Sequence, residues 1–197
     1  MKWMIASDIH GSAYYCEKLI EAYKREEADK ILLLGDVLYH GPRNDLPEGY
    51  APKQVIAMLN ELAKDILCVR GNCDTEVDQM VLEFPVLADY AILAGYTKNT
   101  GTDDAEECED SVRIPIIYAT HGHVYNNGNL PPLHPGDILL HGHTHVPACE
   151  QRETHIYINP GSVSIPKENS PHSYMIFDGA KFQWKTLEGE VYKEFII

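Results

Sequence analysis

The sequence predicts an α/β protein with two stacked β-sheets, and three observations carry that reading. Strand and helix patterns alternate through the first half of the chain, which is the signature of parallel strand pairing. After about Val86 the pattern changes to a succession of strands and loops, too many for one ordinary doubly wound sheet. Five apolar runs, finally, each stop at one or two Asp, His or Asn residues beside a glycine, as strands do when they deliver side chains to a site at their carboxyl ends.

The elements follow in order. Apolar runs begin at Ile5, Ile31 and Leu67. Between them, Tyr15 to Arg25 places Cys16, Leu19, Ile20 and Tyr23 at helical spacing, and Pro52 to Lys64 does the same with Val55, Leu59, Leu62 and Ala63, so each helix should lay one face on a sheet. Strands are expected at Val86 to Leu93, Arg113 to Thr120, Ile138 to His141, His155 to Asn159, Tyr174 to Asp178, Phe182 to Leu187 and Glu190 to Ile196. No internal repeat or low-complexity linker interrupts the chain, so residues 1–197 are read as one domain.

The five runs hold seven metal-type ligands: Asp8 and His10 in IASDIHG, Asp36 in ILLLGD, Asn72 in LCVRGNCD, His121 in IIYATHGH, and His143 and His145 in ILLHGHTH. In extended backbone residues i and i+2 share a side, so Asp8 should point with His10, and His143 with His145. Four imidazoles, two carboxylates and one amide, with no obligatory thiolate, suit Mn, Fe, Co, Ni or Zn better than Ca or an iron–sulfur cluster. Seven ligands exceed one tetrahedral ion. They suffice for two ions about 3.5 to 4 Å apart that share a carboxylate, the arrangement used for in-line phosphoryl displacement. Asp36, alone at the end of a fully apolar run, is the natural bridge.

The ordered set Asp8-x-His10, Gly35-Asp36, Gly71-Asn72-Cys73-Asp74, His121-Gly122-His123 and Gly142-His143-Thr144-His145 resembles the calcineurin-like metallophosphoesterases. Within them the nearer resemblance is to the bacterial YfcE-type phosphodiesterases, through GDVLYHGPRN (Gly35 to Asn44), LPEGYAP, GNCD and NPGSVSIPK. These motifs run from Ile5 to Lys167. The resemblance implies a four-layer α/β/β/α sandwich, two mixed sheets flanked by helices. It also implies that Asp8, His10, Asp36 and His145 hold one metal and Asp36, Asn72, His121 and His143 the other, with Mn the first expectation, and it implies a homo-oligomer, a dimer or tetramer.

Many relatives read GNHD where this chain has Cys73. That His protonates the leaving oxygen or steadies the transferred phosphoryl group. A thiol is mostly protonated at neutral pH and donates weakly, so Cys73 should be a poor general acid. The resemblance ties this Cys to a preference for diesters over monoesters; a small buried residue with no chemical role is the alternative. Asp74 either orients a neighbour by a hydrogen bond or caps its loop. His40 and Arg43 lie in a loop with Pro42, Pro47 and Pro52, where Arg43 could grip a phosphate oxygen or simply be solvated. His123 either contacts substrate or supports His121 through a hydrogen bond, the second being preferred. Asn159 to Ser162 should form a tight structural turn close to the site, and His134, His141, His155 and His172 read as ordinary histidines.

The expected reaction is hydrolysis of small phosphodiesters by in-line attack of a metal-bridging hydroxide, with no covalent protein intermediate. Four charges from two divalent ions, less those of Asp8, Asp36 and hydroxide, leave the pocket near about +1, matched to a diester monoanion. A phosphomonoesterase on the same metals, or a metal-bearing interaction scaffold, are the competing classes. The chain has 16 basic and 30 acidic residues, a net charge of −14, and two bound divalent ions would bring it only to about −10. Such a surface should repel nucleic-acid polymers, whose binding depends on Lys and Arg. Six acids crowd Asp103 to Asp110, which reads as a solvated loop between strands. Five cysteines without a CxxC pair point to reduced thiols in the cytoplasm, and no signal peptide or membrane span is visible.

Overall fold

The computed structural model describes residues 1–93 and 115–197. Two mixed sheets stack face to face. The first has six strands in the order β11-β10-β9-β1-β2-β3, formed by β1 (Trp3–Ala6), β2 (Lys30–Leu33), β3 (Ile66–Cys68), β9 (Ser173–Phe177), β10 (Lys181–Thr186) and β11 (Val191–Ile196). The second has five in the order β4-β5-β6-β8-β7, from β4 (Ala91–Leu93), β5 (Ile117–Thr120), β6 (Ile138–His141), β7 (Ala148–Gln151) and β8 (Ile156–Asn159). β1, β2 and β3 run parallel, as do β5, β6 and β8, so both sheets bring carboxyl-terminal strand ends toward the same seam.

Strand alternation builds two cores. On β1 and β2, Met4, Ala6, Ile31 and Leu33 face α1 (Ala13–Glu26) and α2 (Pro52–Asn60), whose Cys16, Leu19, Val55 and Leu59 are buried against them. Ile5 and Leu32, one residue out of phase, turn to the other side and pack with Met175, Phe182 and Trp184 against Ile117, Ala119, Ile138 and Leu140 of the second sheet. Both long helices lie on the six-stranded sheet. Among the described residues the outer face of the five-stranded sheet carries loops, with Tyr90 stacked on Tyr118 at 4.9 Å.

Element ends have local causes. Ser12 accepts the Tyr15 N–H to start α1, and Glu27 ends it in a left-handed conformation with Lys24 and Arg25 in the last turn. Pro52 opens α2, which stops at Asn60 rather than Lys64; a short 3-10 turn, Ala63–Asp65, completes the expected span. Only Ala91–Leu93 of the expected Val86 to Leu93 strand pairs, because Val86 is buried in the helix-side core and Ala88 O instead accepts the Arg70 N–H. β7 and the four-residue α3 (Glu76–Gln79) are additional elements: β7 alternates weakly, and α3 is a single turn fixed by the Thr75/Asp78 capping box. No helix among the described residues is long and apolar enough to cross a membrane. The acidic Asp103 to Asp110 stretch and Cys108 lie outside the described residues.

Candidate metal centre

All seven expected ligands converge at the seam between the sheets, but not by strand alternation. Asp8, His10, Asp36, His143 and His145 have φ of 60°, 49°, 55°, 66° and 63°, the left-handed region, so each strand has already ended and turned before its ligand appears. Only eight non-glycine residues among those described take positive φ, and five of them are in this set. Asp and His enter this region more readily than most residues, yet each such turn costs on the order of 1–3 kcal/mol, a strain that collects where a site demands it. The i, i+2 argument therefore pairs Asp8 with His10 for the wrong reason and fails for the second pair, because His143 meets His121 whereas His145 meets His10.

The histidines are held from behind by carbonyl oxygens. His10 Nδ1 donates to Tyr39 O at 2.8 Å, His121 Nδ1 to Leu34 O at 2.7 Å and His145 Nδ1 to Ile165 O at 2.6 Å. Each ring thus aims Nε2 into the centre, as second-layer carbonyls orient metal-binding imidazoles. His10 Nε2 and His145 Nε2 stand 3.3 Å apart, and His121 Nε2 lies 3.1 Å from both His143 Nδ1 and Asn72 Oδ1. Asp36 Oδ2 sits between the two groups, 3.8 Å from His10 Nε2 and 3.5 Å from His121 Nε2. Asp8 Oδ1 is buried without a hydrogen bond, 3.2 Å from His145 Nε2 and 3.6 Å from His10 Nε2.

Asp74 and the Asn159 turn set this geometry. Asp74 Oδ2 accepts the N–H groups of Asp36 and Gly71 at 2.8 and 2.7 Å, Oδ1 accepts that of Val37 at 2.9 Å, and the Cys73 N–H in turn donates to Asp36 Oδ1 at 2.8 Å. Gly71 has no Cβ because one there would run into the Asp36 carboxylate. Asn159 Nδ2 donates to Gly142 O at 2.9 Å, while Ser162 Oγ and Ser164 Oγ both donate to Asp8 O at 3.0 Å. The turn expected from NPGS is thus a brace for two ligand loops.

Electrostatics follow from this crowding. Complete burial opposes ionisation of Asp8, but the His10 and His145 rings hold its carboxyl well below the usual range. Burial opposes charge on His121 as well, yet Asp36 beside it raises the imidazole to about 9. His143, desolvated and facing His121, is lowered to about 4. Burial and the Asp36 carboxylate push the Cys73 thiol upward, so it stays protonated near neutrality. Burial likewise raises Asp74.

A cleft of about 600 Å³ opens over Asp36, Asn72, Cys73, His143 and His145, within the range of small-molecule sites. Arg43 lines it. His40 and His123 are not among its lining residues: the His40 ring packs edge-on against Tyr39 and Tyr50, and His123 is exposed, its ring centroid 5.4 Å from that of His121. The support expected from His123 comes instead from the Leu34 carbonyl. Asn44, Thr144 and Lys167 also line the cleft; their one sequence signal is position within the GPRN, HTH and SIPK motifs. His141 is buried and its ring stacks on that of Tyr157 at 4.5 Å.

The donor atoms of Asp8, His10 and His145 lie within 4.8 Å of one another, as do those of Asp8, Asp36 and His121. An orphaned buried carboxylate oxygen ringed by imidazole nitrogens aimed at one another is the donor set a cation satisfies. The model of the calcineurin-like phosphoesterase superfamily domain matches residues 1–181. The chain belongs to that superfamily. Among calcineurin-like phosphoesterases it is 46% identical over 178 residues to Phosphodiesterase YfcE of Escherichia coli K12, covering 90% of this chain and 88% of the relative. The solved structure of the E. coli YfcE phosphoesterase superposes with a TM-score of 0.86 at 42% identity and full coverage of both chains. Vacuolar Protein Sorting 29 from Cryptosporidium parvum, at 19% identity and a TM-score of 0.56, covers all of this chain and 98% of its own and shares the fold.

Proposed function

We propose that this phosphoesterase is a phosphodiesterase whose substrates are small phosphodiesters and whose site holds two divalent transition-metal ions, one with Asp8, His10, Asp36 and His145, the other with Asp36, Asn72, His121 and His143. The observation that carries it is the place of Asp36, whose Oδ2 lies between His10 and His121. The relative named a phosphodiesterase supports the diester class. Manganese is the first expectation among the ions that nitrogen and oxygen donors accept; Fe, Co, Ni and Zn are equally compatible with the donor set. Residues 1–197 are read as one domain, working in the cytoplasm as a homo-oligomer.

Two such cations would supply Lewis acidity and hydroxide at neutral pH for attack on phosphorus. The chain's own groups do the rest. Asp36 and Asp8 would hold the cations, and the Leu34, Tyr39 and Ile165 carbonyls keep the Nε2 atoms of His121, His10 and His145 aimed inward. Arg43 lines the cleft and offers its fork to an anionic group of the substrate. Cys73, protonated and a weak donor, gives the leaving oxygen little help, so esters with a good leaving group or a single negative charge are favoured. Asp74 acts through Asp36 by fixing its backbone.

The test is elemental analysis of protein purified without added metal, then reconstitution and a paired assay on a diester and a monoester. The proposal expects chelator-sensitive turnover that favours the diester. Faster monoester turnover would make the chain a phosphomonoesterase, and metal binding without turnover of either would make it a scaffold.

A further inference from the structure

The cleft over the ligand cluster carries two cations that the reaction chemistry does not need together. Arg43 comes from the loop after β2, and Lys167 from the loop that joins β8 of the five-stranded sheet to β9 of the six-stranded one; both line the cleft. Acids outnumber bases 30 to 16 in this chain; Lys18, Lys30, Lys181, Lys185 and Arg152 sit beside a carboxylate, while Lys24, Lys53, Lys64, Arg70 and Lys193 have none within ion-pair distance among the described residues but do not line the cleft. Neither Arg43 nor Lys167 has a carboxylate partner among the described residues. Two uncompensated cations facing one cavity of an acidic protein mark a place for an anion.

Lys167 is held there by its backbone. Its N–H donates to His145 O at 3.1 Å, and its own carbonyl accepts the Ser170 N–H at 3.0 Å and the Ser170 hydroxyl at 2.6 Å. Glu168 and Asn169 follow with φ of 55° and 58°, two consecutive left-handed residues that turn the chain sharply away. The loop therefore starts the Lys167 side chain beside a metal-centre ligand. Among the described residues its exposed side chain makes no hydrogen bond, leaving the ammonium for a ligand.

Charge then decides the ligand class. A diester monoanion is matched by the net charge of about +1 expected at the loaded metal pair. Arg43 and Lys167 add two further positive charges, which correspond to a phosphate group carrying about −1.5 to −2 at neutral pH. We propose that Lys167, together with Arg43, recognises a second phosphate carried on one ester arm of the substrate, so that the preferred substrates are phosphodiesters bearing an additional phosphomonoester. This rests on the phosphodiesterase reading of the same site and specifies its substrate.

The test compares two substrates with one leaving group: the p-nitrophenyl ester of thymidine 5′-phosphate and the same compound phosphorylated at the 3′-oxygen. In both, the phosphorus–oxygen bond to p-nitrophenolate breaks, and water supplies the new oxygen. The proposal expects kcat/KM about tenfold higher for the 3′-phosphorylated substrate, carried by KM, with that ratio falling toward one in Lys167→Gln and kept in Lys167→Arg. A wild-type ratio of one or less overturns it, as does a Lys167→Gln variant that leaves the ratio unchanged. If neither compound is hydrolysed, the phosphodiesterase reading fails separately. Equilibrium binding then decides: thymidine 3′,5′-bisphosphate must bind more tightly than thymidine 5′-phosphate, and Lys167→Gln must remove the difference; equal affinities overturn the proposal.

Discussion

Asp74 and Asp36 are tied through backbone rather than through their charges: Asp74 Oδ2 accepts the Asp36 N–H at 2.8 Å and so fixes the left-handed turn that carries the Asp36 carboxylate between His10 and His121. The same carboxylate also accepts from Gly71 and Val37. Replacing Asp74 with Asn keeps the shape but turns one acceptor into a donor facing N–H groups. The expected result is a loss of about 3 kcal/mol in urea unfolding, with weaker metal retention. Wild-type stability together with wild-type metal content would show that the turn stands without Asp74.

Asp36→Asn addresses the bridge itself. An amide cannot share two anionic oxygens between two cations, so one metal equivalent should be lost and turnover should fall by about 10³-fold, the rate equivalent of several kcal/mol of lost charge stabilisation. Metal content by elemental analysis and initial rates on a diester measure both. A variant that keeps both equivalents and its rate removes Asp36 from the bridging position.

Cys73→His places an imidazole where a protonated, buried thiol now faces Asp36. A competent general acid should raise monoester turnover relative to diester turnover by about tenfold, the low end of what such groups contribute. An unchanged ratio would mean that Cys73 does not set the preference.

Acid stability should depend on a cluster remote from the cleft. Burial opposes ionisation of Glu26, but the Lys185 ammonium, 2.7 and 2.8 Å from its two oxygens, and the Tyr174 hydroxyl at 2.7 Å hold its carboxyl below the ordinary value of 4.5. A depressed carboxylate contributes stability that is complete above its unfolded pKa and is lost as pH falls through the folded one. Glu26→Gln should therefore cost about 2 kcal/mol at neutral pH and progressively less below about pH 4. Denaturant titrations across that range check it; a pH-independent difference would assign the effect to packing.

Much of this arrangement is legible in the sequence because burial imposes periods. β1 and β2 are apolar on both faces since one face meets helices and the other a second sheet, and that doubling is what makes IASD and ILLLGD run straight into their ligands. Weakly patterned elements escape: β7 alternates too little, and the Val86 segment is apolar because it plugs a core rather than pairing. At the site, residue types give the ligand set, but what aims the ligands is mostly main chain. The carbonyls of Leu34, Tyr39 and Ile165 carry no side-chain signature, and the left-handed turns at Asp8 and His143 are invisible to a rule that assumes extended backbone. His123 stays beside the ligands His121 and His143, at ring-centroid distances of 5.4 and 6.4 Å, while Arg43 and Lys167 line the cleft.

The central claim is that one carboxylate joins two cation sites, and anomalous diffraction from crystals of the protein loaded with manganese tests it most directly. Two anomalous peaks about 3.5 to 4 Å apart are expected, one on each side of Asp36, the first beside His10 and His145 and the second beside His121 and His143. A single peak, or peaks that do not share Asp36, would contradict the account.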